Sequence, residues 1–196
     1  MIKIAVTGGI ACGKSVVGQI IAREGVPVCE ADEVGHEVLE RNPEVREKVI
    51  REFGREITGS DGLIDRTALG RLVFADPGRR EALNALVHPA IMGRIADWVK
   101  SQATGANCVA VIIPLLYEIG AEKEWDKVIC VGAPEAEQLQ RLTERGLSPD
   151  EAQARIAAQM SLATKMERAD FVIYNCGSKA LLEEQTKQVM RNIRGE

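Results

Sequence analysis

The stretch "GGIACGKS" at residues 8–15 follows directly on the apolar run "IKIAVT" at residues 2–7. That run reads as a buried strand. Beyond the loop, Val16, Val17, Ile20 and Ile21 share one face of a helix that opens near Lys14. A strand, a glycine-rich turn and a helix in this order match the pattern G-x-x-x-x-G-K-[ST] through Gly8, Gly13, Lys14 and Ser15. Glycines let the backbone turn so that successive N–H groups point at phosphate oxygens. The helix adds the positive end of its dipole. Lys14 has the reach to meet the β and γ phosphates of a nucleotide, and the Ser15 hydroxyl can ligate Mg²⁺. The glycine spacing excludes the dinucleotide fingerprint G-x-G-x-x-G.

The rest of the chain alternates strands and helices. "VPVCE" (26–30), "CVAVII" (108–113), "KVICV" (127–131) and "FVIYN" (171–175) read as further strands. Helices are expected over Asp32–Arg41, Glu44–Phe53, Thr67–Phe74, Arg79–Val87 and Pro89–Ser101, with turn signals in "GREITGSDGLID" (54–65). Pro134 suits the first turn of a helix that runs to Arg145. "SPDE" (148–151) is a capping box that opens a helix to about Met160. Ser178–Arg194 is the closing helix.

Apolar strands alternating with helices imply an α/β fold, with a five-stranded parallel sheet flanked by helices on both faces. Ligands then bind at the carboxyl ends of the strands. The phosphate loop, "EAD", "PLLYE" and "NCG" each follow a strand, so all are expected along one edge. Residues 1–41, 107–141 and 169–196 make the nucleotide-binding core in this reading. Residues 42–106 are a helical insert suited to a substrate. Residues 142–168, rich in Arg and Lys, form a helical lid.

Composition bounds the function classes. A net charge of −4 with mixed signs argues against general nucleic-acid binding. No apolar stretch has the length to cross a membrane. The N-terminus enters a strand with no leader pattern, so a cytoplasmic protein is expected. The five cysteines include no CxxC pair; Cys29, Cys108 and Cys130 lie in strand-like runs and read as buried reduced thiols, while Cys12 sits in the phosphate loop. Oligomeric state is left open.

Asp32, in "VCEAD", suits two roles: a base that takes a proton from an attacking hydroxyl, or a helix N-cap. His36, one helical turn on, reads as a packing or solvated histidine. The third strand ends in "IIPLLYE" without the Asp that many phosphate-loop ATPases use for Mg²⁺, which weakens a motor or hydrolase reading. No Asn-Lys-x-Asp segment is present to read guanine. Arg141, Arg145, Arg155, Lys165 and Arg168 are candidate cations to close over the phosphates. Taken singly, the last four read as surface charges.

Taken together, "TGGIACGKS", "V-x-x-AD" ending at Asp32, "DGLIDRTALGRLVFADP" (61–77), "HP" (88–89), "IPLLYE" (113–118), "LQRL" (139–142), "AAQM" (157–160) and "ADFVIYNCGS" (169–178) resemble the dephospho-coenzyme A kinase family nearly end to end. The resemblance implies transfer of the ATP γ-phosphoryl to the ribose 3′-hydroxyl of dephospho-coenzyme A, with ATP and Mg²⁺. It implies Asp32 as general base, Lys14 and Arg141 as transition-state cations and Ser15 as the Mg²⁺ ligand. It places ATP against Gly9, Ala11, Cys12, Gly13, Lys14, Ser15, Val16, Asn175 and Gly177. The acceptor falls to Thr7, Asp32, Arg66, His88, Leu115, Leu116 and Glu118. Three positions depart from the family's habit: Glu30 for a first Asp, no acid before Pro114, and Cys12 for a small serine. Another phosphate-loop kinase acting on a nucleoside or nucleotide, and a non-catalytic nucleotide-dependent binding protein, are the alternatives.

Overall fold

A computed structural model describes residues 1–59 and 61–196, with Phe74 and Ala75 described by backbone alone. The Ser60 position of the expected 54–65 loop lies outside the described residues. The described residues divide into two compact units, one of residues 1–30 with 101–196 and one of residues 31–100.

The first unit is built on a five-stranded sheet of β1 (Ile2–Gly8), β2 (Val28–Glu30), β3 (Cys108–Ile112), β4 (Lys127–Gly132) and β5 (Phe171–Tyr174). Every pairing is parallel and the order is β2-β3-β1-β4-β5. The register Gly8↔Val131, Glu30↔Ile112 and Gly132↔Tyr174 aligns the carboxyl ends along one edge. In β3 every side chain is buried, as both-face coverage requires. Helices α1 (Lys14–Arg23) and α9 (Lys179–Arg194) pack together against the sheet. Val17, Ile20 and Ile21 of α1 and Leu182, Val189, Met190 and Ile193 of α9 recur at helical spacing and join Ile4, Val6, Ile129 and Ile173 in one core.

Beyond β4, α6 (Glu135–Glu144), α7 (Pro149–Ala157) and α8 (Leu162–Arg168) complete this unit. The capping box at Ser148 and Glu151 forms as the sequence predicts. Pro134 stands one place earlier than expected, at the N-cap of α6 rather than in its first turn. The helix expected to reach Met160 ends at Ala157, and Ser161 caps the separate α8 by accepting from the Thr164 N–H.

The second unit contains α2 (Ala31–Arg41), α3 (Pro43–Phe53), α4 (Arg66–Ala75) and most of α5 (Pro77–Gln102). Asn42 and Asp65 cap α3 and α4 through their side chains. Val45, Val49 and Phe53 of α3 recur at four-residue spacing and pack with Val38, Ile57, Leu69, Val73 and Val87 in a separate core. The sequence predicts a break at Pro89, but α5 runs through it. A proline inside a helix removes one intrahelical hydrogen bond. Here Val87 before it and Ile95 and Val99 beyond it are all buried, and this packing holds the helix together across the gap.

Candidate functional site

Residues Gly9–Gly13 turn between the central strand β1 and α1. Gly8 and Gly13 have φ of 142° and 98°, and Ala11 is the one non-glycine with positive φ among the described residues, at 56°. At Gly8 there is also no room for a side chain: a Cβ would lie 2.0 Å from the Val131 carbonyl oxygen.

Side chains from separate segments hold the loop by its carbonyls. Lys14 Nζ donates to the carbonyls of Gly8, at 3.3 Å, and Gly9, at 2.8 Å. Arg141 of α6 donates to the Ala11 carbonyl at 3.0 Å and pairs with Glu137 one turn before it. Asn175, just past β5, donates to the Cys12 carbonyl at 3.0 Å. Ala11 packs with Leu142 and Ala152, and Ile10 lies against the same small core. Ser15 Oγ donates to Glu30 Oε2 at 3.2 Å.

Cys12 is fully buried. Burial pushes its thiol above the ordinary range, and nearby Lys14 only partly offsets this. Cys130 is buried and pushed up to about 12 by the same cause. Both remain thiols at neutral pH. Cys29 is only half-buried, and Cys176 is exposed.

The other expected residues fall in definite places. Thr7 is buried and donates to the Pro114 carbonyl at 3.3 Å. Leu115 is half-buried after β3, whereas the Leu116 side chain is wholly in the core. Val16 is exposed in the first turn of α1. Gly177 stands immediately before Ser178, the N-cap of α9. Of the four cations read as surface charges, Lys165 is wholly buried and Arg168 lies over the Tyr117 ring at 4.4 Å, paired with Glu122. Lys165 is paired with Glu118 at 2.7 Å.

Asp32, Arg66 and His88 belong to the second unit. Asp32 lies inside the first turn of α2, which begins at Ala31, so it is not the N-cap. A carboxylate there is favoured by the helix dipole. His36 Nε2 accepts from Arg66 at 2.5 Å, since a guanidinium can only donate. The two line a cleft of about 550 Å³ with Leu39, Thr67 and Leu83. Burial lowers the pKa of His88 from 6.5.

Two contacts of the loop and the helix start after it carry no local sequence signal: the Ser15 hydroxyl on Glu30, and the Gln159 side chain that accepts from the Ile10 N–H at 3.1 Å. The "AAQM" stretch marks Gln159 only through resemblance.

A family model described as dephospho-CoA kinase matches residues 2–180. The dephospho-CoA kinase of Symbiobacterium thermophilum is 45% identical over 190 residues, spanning 96% of this chain and 80% of that protein. TT1252 from Thermus thermophilus superposes with a TM-score of 0.82 at 36% identity, over 98% of this chain and 97% of that one. The dephospho-CoA kinase from Campylobacter jejuni does so with a TM-score of 0.73 at 31% identity, over 97% and 96%. With its sequence matched almost throughout and its fold shared, the chain belongs to the dephospho-CoA kinase family.

Proposed function

We propose that the chain moves the γ-phosphoryl of ATP in line onto the ribose 3′-hydroxyl of dephospho-CoA, with Asp32 taking the proton of that hydroxyl. The reading rests on one observation above the rest: Lys14, Arg141 and Asn175, from three segments, converge on the carbonyls of a single loop. Phosphoryl transfer needs little covalent chemistry from a protein. It needs positioning and fixed positive charge where negative charge gathers. Lys14 and Arg141 supply that charge. Asn175 and Gly177 border the nucleotide, and backbone groups from Gly9 to Val16 surround its phosphates.

The donor set fits Mg²⁺. Ser15 Oγ and Glu30 Oε2 are hard oxygens 3.2 Å apart, and no group of three or more His, Cys, Asp or Glu stands ready to hold a metal among the described residues. Mg²⁺ commonly takes one or two protein oxygens and completes its shell with phosphate and water. Ser15 would hold it, with Glu30 in support; when bound it neutralises charge on the phosphate oxygens.

Arg66, His88, Leu115 and Glu118 fall to the acceptor side in this reading, with Thr7 and Leu116 supporting from within the core. Residues 1–41, 107–141 and 169–196 serve as the nucleotide core, 42–106 as the acceptor-binding insert and 142–168 as the lid. The cleft beside Arg66 supports the acceptor assignment, since a guanidinium suits a phosphate ester.

The test is ATP turnover coupled to dephospho-CoA, with adenosine and AMP as competing acceptors, for the wild type and Asp32→Asn. The expected outcome is transfer to dephospho-CoA alone and a loss of roughly 10²- to 10⁴-fold in kcat in the variant. No transfer to that acceptor overturns the reading. A fully active variant overturns only the assignment of Asp32.

A further inference from the structure

The peptide unit between Gly9 and Ile10 is held at both ends. Its carbonyl, on Gly9, accepts from Lys14 Nζ at 2.8 Å. Its N–H, on Ile10, donates to Gln159 Oε1 at 3.1 Å. These two grips come from different parts of the chain, Lys14 from the loop's own helix and Gln159 from residues far along the sequence. The Gly9 carbonyl also accepts from the Cys12 N–H at 3.4 Å, and an ammonium has three donors, so Lys14 can meet a phosphate while keeping its hold on the loop.

A peptide next to glycine rotates easily, because glycine populates both signs of φ. Rotation of this unit would swing the Gly9 carbonyl from its present setting and turn a partial negative charge against the phosphates. We propose that Gln159 is a positioning residue for the phosphate loop: from outside the loop it fixes the N–H end of the Gly9–Ile10 peptide, whose carbonyl end is held from within by Lys14 and the Cys12 N–H. This rests on the reading of residues 8–15 as the ATP phosphate site.

The geometry around Gln159 shows how its side chain is kept in place. Its neighbour Met160 donates its backbone N–H to Glu118 Oε1 at 3.0 Å. Lys165, wholly buried, donates to the same oxygen at 2.7 Å and to the Pro114 carbonyl at 2.9 Å. Pro114 also accepts from Thr7, the residue before Gly8, at 3.3 Å. The bonds therefore form a closed circuit, from β1 through Pro114, Lys165, Glu118 and Met160 to Gln159 and back to the loop at Ile10. Arg168 adds a second tie, with its guanidinium 3.9 Å from Met160 Sδ. A buried charge with two partners is expensive to disrupt. It makes residues 159–168 the fixed end of the stretch assigned to the lid. Glu118 acts here by holding Met160 and Lys165.

The experiment is Gln159→Met, which keeps the side chain's length and removes the acceptor. Mg-ADP affinity is read by calorimetry, and KM is read separately for ATP and dephospho-CoA. One neutral hydrogen bond corresponds to roughly two- to tenfold in an equilibrium constant. The expected result is a three- to tenfold loss of Mg-ADP affinity and an equal rise in the ATP KM, with the dephospho-CoA KM within twofold of wild type. A merely structural role would lower the Tm and weaken both substrates alike. Mg-ADP affinity within twofold of wild type, or parallel rises in both KM values, overturns the proposal. Should the wild type fail to use dephospho-CoA, the functional reading falls, and the Mg-ADP titration still decides the role of Gln159.

Discussion

The Ser15 hydroxyl donates to the Glu30 carboxylate at 3.2 Å, joining the first turn of α1 to the last residue of β2. The bond orients an oxygen lone pair of Ser15 away from Glu30. Glu30→Gln keeps an acceptor oxygen and removes the charge. Its expected effect is a rise of roughly three- to tenfold in the Mg²⁺ concentration for half-maximal rate, with a smaller change at saturating Mg²⁺. Ser15→Ala removes the hydroxyl itself and is expected to lower kcat by about 10²-fold. Titrating Mg²⁺ at fixed ATP checks both.

Arg141 separates catalysis from stability. Its pair with Glu137 is a part-exposed i,i+4 contact, worth about 0.3–0.5 kcal/mol. Its bond to the Ala11 carbonyl sets the cation beside the phosphate loop. Arg141→Met is expected to cut kcat/KM by roughly 10²- to 10³-fold while the Tm moves by only a few degrees. Arg141→Lys keeps the charge but not the fork, so it is expected to recover part of the rate. A rate loss matched by unfolding would assign the side chain to structure instead.

Gly8→Ala is expected to destabilise the fold by about 4 kcal/mol or more, because the new methyl would lie 2.0 Å from the Val131 carbonyl oxygen across the β1–β4 pairing. Gly25→Ala is the comparison. Its φ of 79° is also unfavourable for a side chain, but nothing lies within 4 Å. The expected loss there is roughly 1 kcal/mol. Urea unfolding of the two variants measures the difference, and equal midpoints would refute the close approach at Gly8.

His88 predicts a pH dependence. Burial lowers its folded pKa below 6.5, so the unfolded chain takes up a proton first as the pH falls. Stability from this group is complete above about pH 6.5 and is lost on acidification through the folded pKa. The urea midpoint of the wild type is expected to fall between pH 7.5 and 5.5, above the main carboxylate range. His88→Asn is expected to flatten that fall. An unchanged slope in the variant would remove His88 as its source.

The phosphate loop was legible because its requirements are local: a strand, glycines at fixed offsets and a helix start. The capping box at Ser148 was legible for the same reason, since its partners are three residues apart. Helix α5 shows the opposite case. "HP" at 88–89 signals a break, and only the burial of Val87, Ile95 and Val99 explains why the helix continues. Lys165 reads as a surface charge until the fold places Glu118 and Pro114 against it. Gln159 lies 149 residues from the amide it holds, and no periodicity or spacing reports a contact of that range.

The strand order has a consequence for how the molecule breathes. β1 is paired on both sides, whereas β2 and β5 are the sheet's margins. Local opening starts where backbone hydrogen bonds are fewest, so the amides of β1 should be among the last to exchange with deuterium and those of the margins among the first. Glu30 ends one margin and Asn175 follows the other, and each holds the nucleotide loop from outside. Fraying at either margin is therefore expected to slacken one grip at a time while β1 beneath the loop stays paired. Under the proposed function, nucleotide would then be let go without any part of the central strand having to unzip.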